Sequence, residues 1–108
     1  MPRRNSKTDR GPHMVVGVGV IIFRLHDCRS LKAKRSVVKS MIAQMRNHFN
    51  ASVAEVGAND IYERAEIGFS LVGSDGQVIN AKLDKMINFT EDLGLAELVE
   101  SDFEIIHM

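Results

Sequence analysis

The most constraining feature of this sequence is a nearly continuous apolar run from Met14 to Phe23. The run is rich in valine and isoleucine, whose branched side chains favour strands. A strand that is apolar at successive positions is typical of the centre of a sheet, where both faces are covered. We therefore predict a central strand over Met14–Leu25. With 10 residues the run is too short to span a bilayer, and we expect no membrane association.

The spacing of apolar residues predicts five further elements. Two helices are predicted, one over Ser30–Asn50 with Ser30 as its N-cap, and one that begins at a capping box at Ser74 and ends at Gly94. Three strands are predicted at Ala51–Val56, Ala65–Val72 and Val99–Ile106. The order β-α-β-β-α-β predicts an α+β, ferredoxin-like sandwich, in which two helices cover one face of a four-stranded antiparallel sheet.

The chain is predicted to hold one domain. Residues 14–108 contain all of the predicted elements. Residues 1–13 are polar, carry four cations and lack an apolar period, so we interpret them as a disordered basic arm or a cloning-derived extension. The single cysteine, Cys28, excludes an internal disulfide, and nothing indicates secretion.

Positive and negative charges are separated along the chain, although they cancel overall. Residues 1–50 carry eleven Lys and Arg but two Asp, whereas residues 51–108 carry three Lys and Arg and twelve acids. This asymmetry is typical of a protein whose partner contacts one charged face. The alternative is that the two halves neutralise each other inside the fold. Residues 14–108 carry ten bases and thirteen acids, so an anion site must be local.

The first helix begins with cations, although the dipole of a helix favours acids there. Four of its cations follow i, i+3, i+7, i+14 spacing, which predicts one ridge beside the apolar stripe. Such a ridge, next to the exposed amides of the helix start, suits a phosphate backbone. The predicted nucleic-acid-binding residues are Arg29, Lys32, Lys34, Arg35, Lys39 and Arg46. The alternative is a solvated face, or one that is paired with acids of the second half.

The predicted sheet has one covered face and one open face. Phe69 has the parity of Ile67 and Leu71, so it is expected to point at the helices and not to stack on RNA bases. The open face is expected to carry four acids: Glu66, Glu100, Asp102 and Glu104. It also leaves four apolar residues of the first strand uncovered: Val16, Val18, Val20 and Ile22. Since uncovered apolar patches are typical of interfaces, a homodimer or another protein partner is the alternative function.

Two segments resemble the signatures of the YlxP-like family, a small bacterial family of largely unknown function. The segments are Arg29–Arg35 and Phe49–Gly57, and the stretch from Asn59 to Ala65 is similar as well. The resemblance covers residues 14–108 and implies a ferredoxin-like fold and a cytoplasmic location. Genes of the family commonly lie among those for transcription termination, translation initiation and ribosome maturation, which implies association with RNA or ribosomes. The resemblance brings no established catalytic residues.

Polar residues of the second signature and of the loop after it form a second candidate surface. They are Asn50, Glu55, Asn59, Asp60 and Arg64. The alternative is a turn network, in which Asn and Asp side chains hold backbone amides.

We expect no enzymatic activity, no metal and no cofactor, and the sequence indicates no small-molecule substrate. An acylphosphatase-like enzyme shares the predicted topology but needs a glycine-rich phosphate loop after the first strand, where residues 25–30 contain no glycine. His26, Asp27 and Cys28 are neighbours in sequence, and such neighbours seldom meet as a catalytic set. The four histidines lack the spacing of metal ligands. We therefore expect a non-enzymatic accessory factor that binds RNA or a ribosomal particle through its first helix.

Overall fold

The structure, a computed structural model, describes residues 13–108. Its elements are β1 (Val15–Arg24), α1 (Leu31–Phe49), β2 (Ser52–Gly57), β3 (Arg64–Gly73), α2 (Gly76–Asp92) and β4 (Glu97–His107). The predicted arm over residues 1–13 lies outside the described residues except for His13. Among residues 13–108, no helix is long and apolar enough to cross a membrane.

The strands form one antiparallel sheet in the order β2-β3-β1-β4. β1 pairs with β3 along one side and with β4 along the other, which confirms the predicted central strand. α1 packs on β2, α2 packs on β1 and β4, and the two helices contact each other. The observed order and pairing confirm the predicted α+β, ferredoxin-like arrangement.

Alternate residues of the strands point at the helices and form the core. Phe69 is buried among them, as its parity predicts. Gly17 of β1 lies directly beneath α2, and a Cβ there would stand 2.8 Å from Ile79 Cγ2, so this position needs glycine for close packing. The core residues of the two helices are Val38, Met41, Met45, Ile79, Leu83 and Met86.

The N-cap of α1 is as predicted, whereas that of α2 is one residue further along the chain. Ser30 Oγ accepts a hydrogen bond from the Ala33 amide at 3.1 Å. For α2 the cap is Asp75 and not Ser74, because Asp75 Oδ1 accepts from the amides of Gln77 and Val78 at 2.8 and 3.4 Å. An aspartate caps as well as a serine and adds a negative charge where the helix dipole favours one.

A bulge in β4 moves Val99 away from the core, although alternation along the predicted strand Val99–Ile106 places Val99, Phe103 and Ile105 on one face. Ile22 pairs with Glu100 but Phe23 pairs with Leu98, so Val99 is the extra residue and is exposed. Leu98 packs against the core instead. Simple alternation fails here because a bulge adds one residue to one strand and reverses the parity beyond it. Phe103 and Ile105, on the other side of the bulge, pack on the core as predicted.

Candidate nucleic-acid interface

The cations of α1 form a ridge beside its buried stripe. At 3.6 residues per turn, Lys32, Arg35, Lys39 and Arg46 fall within about 60° of one another around the helix axis. Their Cα positions span about 21 Å along that axis. All four residues are exposed. Since α1 packs on β2, which forms one edge of the sheet, the ridge runs along that edge of the molecule.

Lys34 is not part of this ridge, because its side chain is buried. It is 1% exposed, and its ammonium lies 2.9 Å from Oε2 of Glu55 on β2. The same ammonium donates a hydrogen bond to the carbonyl oxygen of Ala58, which begins the loop after β2. The contact with Glu55 is an ion pair without the alignment of a hydrogen bond. The structure therefore removes Lys34 from the predicted phosphate-binding set.

The buried pair also joins the two segments that carry the family resemblance. Lys34 belongs to the first segment and Glu55 to the second, and their contact fixes α1 to β2 and to the start of the next loop. This pairing is not predicted from the sequence, where Lys34 is assigned to the phosphate-binding set. A signal was present, since Lys34 falls on the same helical period as Val38, Met41 and Met45, all of which are buried. A lysine on an apolar stripe needs a buried partner, because an unpaired ammonium in the core is strongly destabilising.

The ridge residues differ in how firmly they are held. The Arg46 guanidinium donates through Nη2 to the carbonyl oxygen of Val53 at 2.7 Å, which caps an outward-facing group of the edge strand. Within residues 13–108, the ion pairs are those of His26, Lys34 and Arg64, so the remaining cations of α1 have no carboxylate partner there. Those cations are Lys32, Arg35, Lys39 and Arg46, and Arg29, which precedes the N-cap of α1, has no carboxylate partner in the described chain either.

The placement of the acids explains why the two halves of the chain do not neutralise each other at α1. Glu100, Asp102 and Glu104 lie on β4, at the edge of the sheet opposite to β2. Their parity places them on the open face, whereas α1 lies on the covered face. Among the acids of residues 51–108, Glu55 is the one that reaches a cation of α1.

A shallow groove accompanies the ridge between α1 and β2. Its volume is about 460 Å³, and its lining consists of Arg35, Val38, Lys39, Ile42, Ala43, Arg46 and Glu55. The rim carries three cations, and the floor is largely apolar. The one acid of the lining, Glu55, is already neutralised by Lys34. The groove therefore presents net positive charge to a ligand.

The second candidate surface is divided by the structure. Asn50 caps the C-terminus of α1 in the left-handed conformation, with φ of 52°, and lies at the start of β2. Asn59 and Asp60 lie in the turn beyond the other end of β2. Glu55 forms an ion pair with Lys34, and Arg64 Nε donates a hydrogen bond to Glu66 Oε2 at 2.8 Å. These five residues therefore do not share one surface, and the local backbone role accounts for Asn50.

His26, Asp27 and Cys28 lie in the loop between β1 and α1. His26 Nε2 contacts a carboxylate oxygen of Glu97 at the start of β4, and the Cys28 thiol donates to the carbonyl oxygen of Ser30. The hydrogen bond from His26 holds the pKa of Glu97 below its usual range. In the part of the chain that the structure describes, no three His, Cys, Asp or Glu side chains are arranged to hold a metal ion.

Most of the described chain is similar to known proteins. A family model, "Protein of unknown function (DUF503)", matches residues 16–103. The chain is 31% identical over 67 residues to "Uncharacterized protein YlxP" of Bacillus subtilis (strain 168), which covers 62% of this chain and 73% of that one. Among solved structures, "De novo designed protein Foldit4" is 12% identical with a TM-score of 0.47, and the match covers 89% of this chain and 96% of that chain.

Proposed function

This chain belongs to the DUF503, or YlxP-like, family of proteins of unknown function, and we propose that it is a non-enzymatic, RNA- or ribosome-associated accessory factor. In this proposal RNA phosphates lie along the ridge of α1, and the protein works in the cytoplasm. The observation that carries the proposal is the set of exposed cations at Arg29, Lys32, Arg35 and Lys39. None of them has a carboxylate partner within residues 13–108.

The clustering of these four cations distinguishes them, since Arg24, Lys82 and Lys85 of the described chain also lack a carboxylate partner. Residues 14–108 contain thirteen acids and ten bases, so neutralisation of the ridge would be easy to arrange. α1 also has no acid in its first turn, where an acid would stabilise it by about 0.3–1 kcal/mol. A surface that keeps cations against its own helix dipole is suited to an external anion.

The geometry favours contacts to the backbone of RNA over contacts to its bases. A straight ridge of about 21 Å is long enough to follow several phosphates of one strand. The open face of the sheet lacks the exposed aromatic residues with which RNA-recognition sheets stack on bases, since Phe69 is buried, and its β4 side carries acids that repel phosphate. We therefore propose binding that depends on charge and shape and has little sequence preference.

The test is a titration of the full chain into fluorescently labelled single-stranded and hairpin RNA at several salt concentrations. Four phosphate contacts predict that the logarithm of the affinity falls with the logarithm of salt with a slope of roughly −3. The double variant Lys32→Glu/Lys39→Glu is expected to lose roughly tenfold or more in affinity at low salt and to flatten that slope by about 1.4.

The matched control is Lys82→Glu/Lys85→Glu, which makes the same change in net charge on two exposed lysines of α2. We expect it to bind RNA nearly as well as the parent. Equal losses in both variants would mean that net charge, and not the ridge, attracts RNA. A parent protein that binds no RNA at low salt would contradict the proposal and favour a protein-binding module with no nucleic-acid role.

A further inference from the structure

One face of the sheet carries apolar side chains that nothing in the described chain covers. The even-numbered residues of β1 point away from both helices, and Val20 among them is 36% exposed. Val72 on β3 and Val56 on β2 add exposures of 60% and 56%. Ile106 on β4 extends the patch at one end of the face. An apolar surface of this extent is typical of an interface.

Side-chain size and charge change in a regular way across the middle of this open face, whereas the row at the start of β1 consists of large apolar residues, Val72, Val16 and Ile106. Two adjacent rows of register partners cross the four strands in the middle of the sheet: Ser52, Ser70, Val18 and Glu104 in one, and Ala54, Gly68, Val20 and Asp102 in the other. From one edge to the other, the residues are therefore small on β2 and β3, valine on β1 and acidic on β4. The small residues, together with the Val56 side chain of β2 that packs against Gly68, line a trough of about 700 Å³ beside the valines.

We propose that this face binds the same face of a second copy of the chain, with the two-fold axis parallel to the strands. Rotation about that axis places β1 of one copy over β3 of the other, and β4 over β2. Val18 then enters the trough of the second copy over Ser70, and Val20 enters it over Gly68 against the Val56 side chain that packs there. The same contacts are repeated by symmetry. Large residues thus meet small ones twice, as an isologous interface between two stacked sheets requires.

The open faces could also stack about a two-fold axis perpendicular to the strands, but the acids of β4 favour the axis parallel to the strands. An axis perpendicular to the strands would place β4 over β4, so that Asp102 and Glu104 of the two copies would face each other. Like charges in contact oppose association. With the axis parallel to the strands, the acids of each copy lie over Ser52 and Ala54 of the other, at opposite rims of the interface. Charge and shape therefore favour the same arrangement.

The size of the face agrees with a dimer of moderate affinity. Four strands at a spacing of about 4.8 Å, with about 30 Å of strand length, give roughly 600 Å² of sheet. This is of the same order as the roughly 800 Å² that each partner buries in a standard-sized interface. In the dimer the helices lie on the outside, so the two α1 ridges face in opposite directions. The interface itself does not depend on whether the ridge binds RNA.

The first experiment is sedimentation equilibrium of the full chain from about 1 to about 200 µM, with Val20→Lys as the test variant. A lysine there lies beside Asp102, which keeps the monomer folded, but it places a charge in the trough of the second copy. We expect a loss of dimer affinity of roughly tenfold or more. Val78→Lys on α2, where Val78 is 50% exposed, is the control and is expected to dimerise as the parent does. A parent chain that stays monomeric throughout, or a Val20→Lys variant that dimerises unchanged, would overturn the proposal.

The second experiment tests the axis with Ser52→Lys on β2. Ser52 is exposed and lies under the acids of β4 in the second copy if the axis is parallel to the strands. Two new ion pairs then form across the interface, and the dimer is expected to tighten by roughly two- to tenfold at low salt. With the perpendicular axis the two introduced lysines would face each other and the dimer would weaken. Weakening, or no change, would therefore reject the arrangement proposed here.

Discussion

The two helices pack on the same face of the sheet, yet the charges at their N-terminal ends follow opposite rules. α2 begins at Asp75, whose carboxylate caps two amides and complements the helix dipole. α1 begins at Ser30 and continues with Lys32 and Arg35, which the dipole disfavours. α2 buries one polar side chain, Thr90, which donates to the carbonyl oxygen of Ile87 within its own helix. α1 buries Lys34, which reaches across to β2.

The two helices are alike in their packing on the sheet but differ in the charges at their ends. The requirements of packing are met alike in both helices, since each presents an apolar stripe to the sheet. The charges at the helix start suit the dipole in α2 and oppose it in α1, whereas at the C-terminal end α1 carries the bases Arg46 and His48 and α2 carries none. The buried and the exposed cations of α1 therefore need another explanation. Lys34 is explained by its partner within the fold, Glu55, and the exposed ridge cations by the proposed external anion.

The largest expected effect comes from breaking the internal pair. Glu55→Gln leaves the ammonium of Lys34 buried without its counter-charge, and we expect a loss of roughly 3 kcal/mol in the free energy of unfolding. This is the lower end of the range for buried pairs, because the Glu55 side chain is 20% exposed. Urea denaturation followed by circular dichroism measures the change.

Two further variants serve as comparisons for the loss of stability in Glu55→Gln. Lys34→Met removes the buried charge and leaves a carboxylate that has some access to water, so it is expected to cost less than Glu55→Gln. Thr90→Val on α2 removes one hydrogen bond within the helix and is expected to cost about 1 kcal/mol. If Glu55→Gln is no more destabilising than Thr90→Val, the buried pair does not hold α1 to β2.

The next expected effect is a smaller change in the free energy of unfolding, and it is a gain in stability. Lys32→Glu replaces a cation near the start of α1 with an acid, and the helix dipole then stabilises the fold by about 0.3–1 kcal/mol. Asp75→Ala, at the start of α2, removes the cap and is expected to cost about 1 kcal/mol. Thermal unfolding at low salt measures both changes. A Lys32→Glu variant that is less stable than the parent would mean that this lysine has a structural role, and the contrast between the helices would lose its basis.

The sequence predicts the fold well because apolar spacing decides which residues face the core. The stripe on α1, the central strand and the inward position of Phe69 all follow from periodicity. Val99 was misplaced because one bulge reverses the parity beyond it, and no residue pattern marks that bulge. The candidate site was predicted less well. The spacing places Lys32, Arg35, Lys39 and Arg46 together on one face of α1 and Lys34 on the buried stripe. It does not identify Glu55 as the partner of Lys34, since this contact depends on how α1 sits over β2.

The smallest expected effect concerns the loop that precedes α1. His26 in this loop donates to Glu97 on β4 and lowers the pKa of that carboxyl, with smaller help from the charges of His26 and Arg24. Because the folded-state pKa lies below the unfolded one, the contact stabilises the fold at pH values above the unfolded pKa, and this contribution is lost as the pH falls through the folded pKa. The Glu97 side chain is exposed to solvent, so the effect on stability is slight and is best seen at the group itself. A carbon NMR titration is expected to show Glu97 protonating at lower pH than an ordinary glutamate, and His26→Ala, which removes the donor, is expected to raise its pKa towards the usual value. An unchanged titration in His26→Ala would show that the loop before α1 is not tied to β4 by this contact.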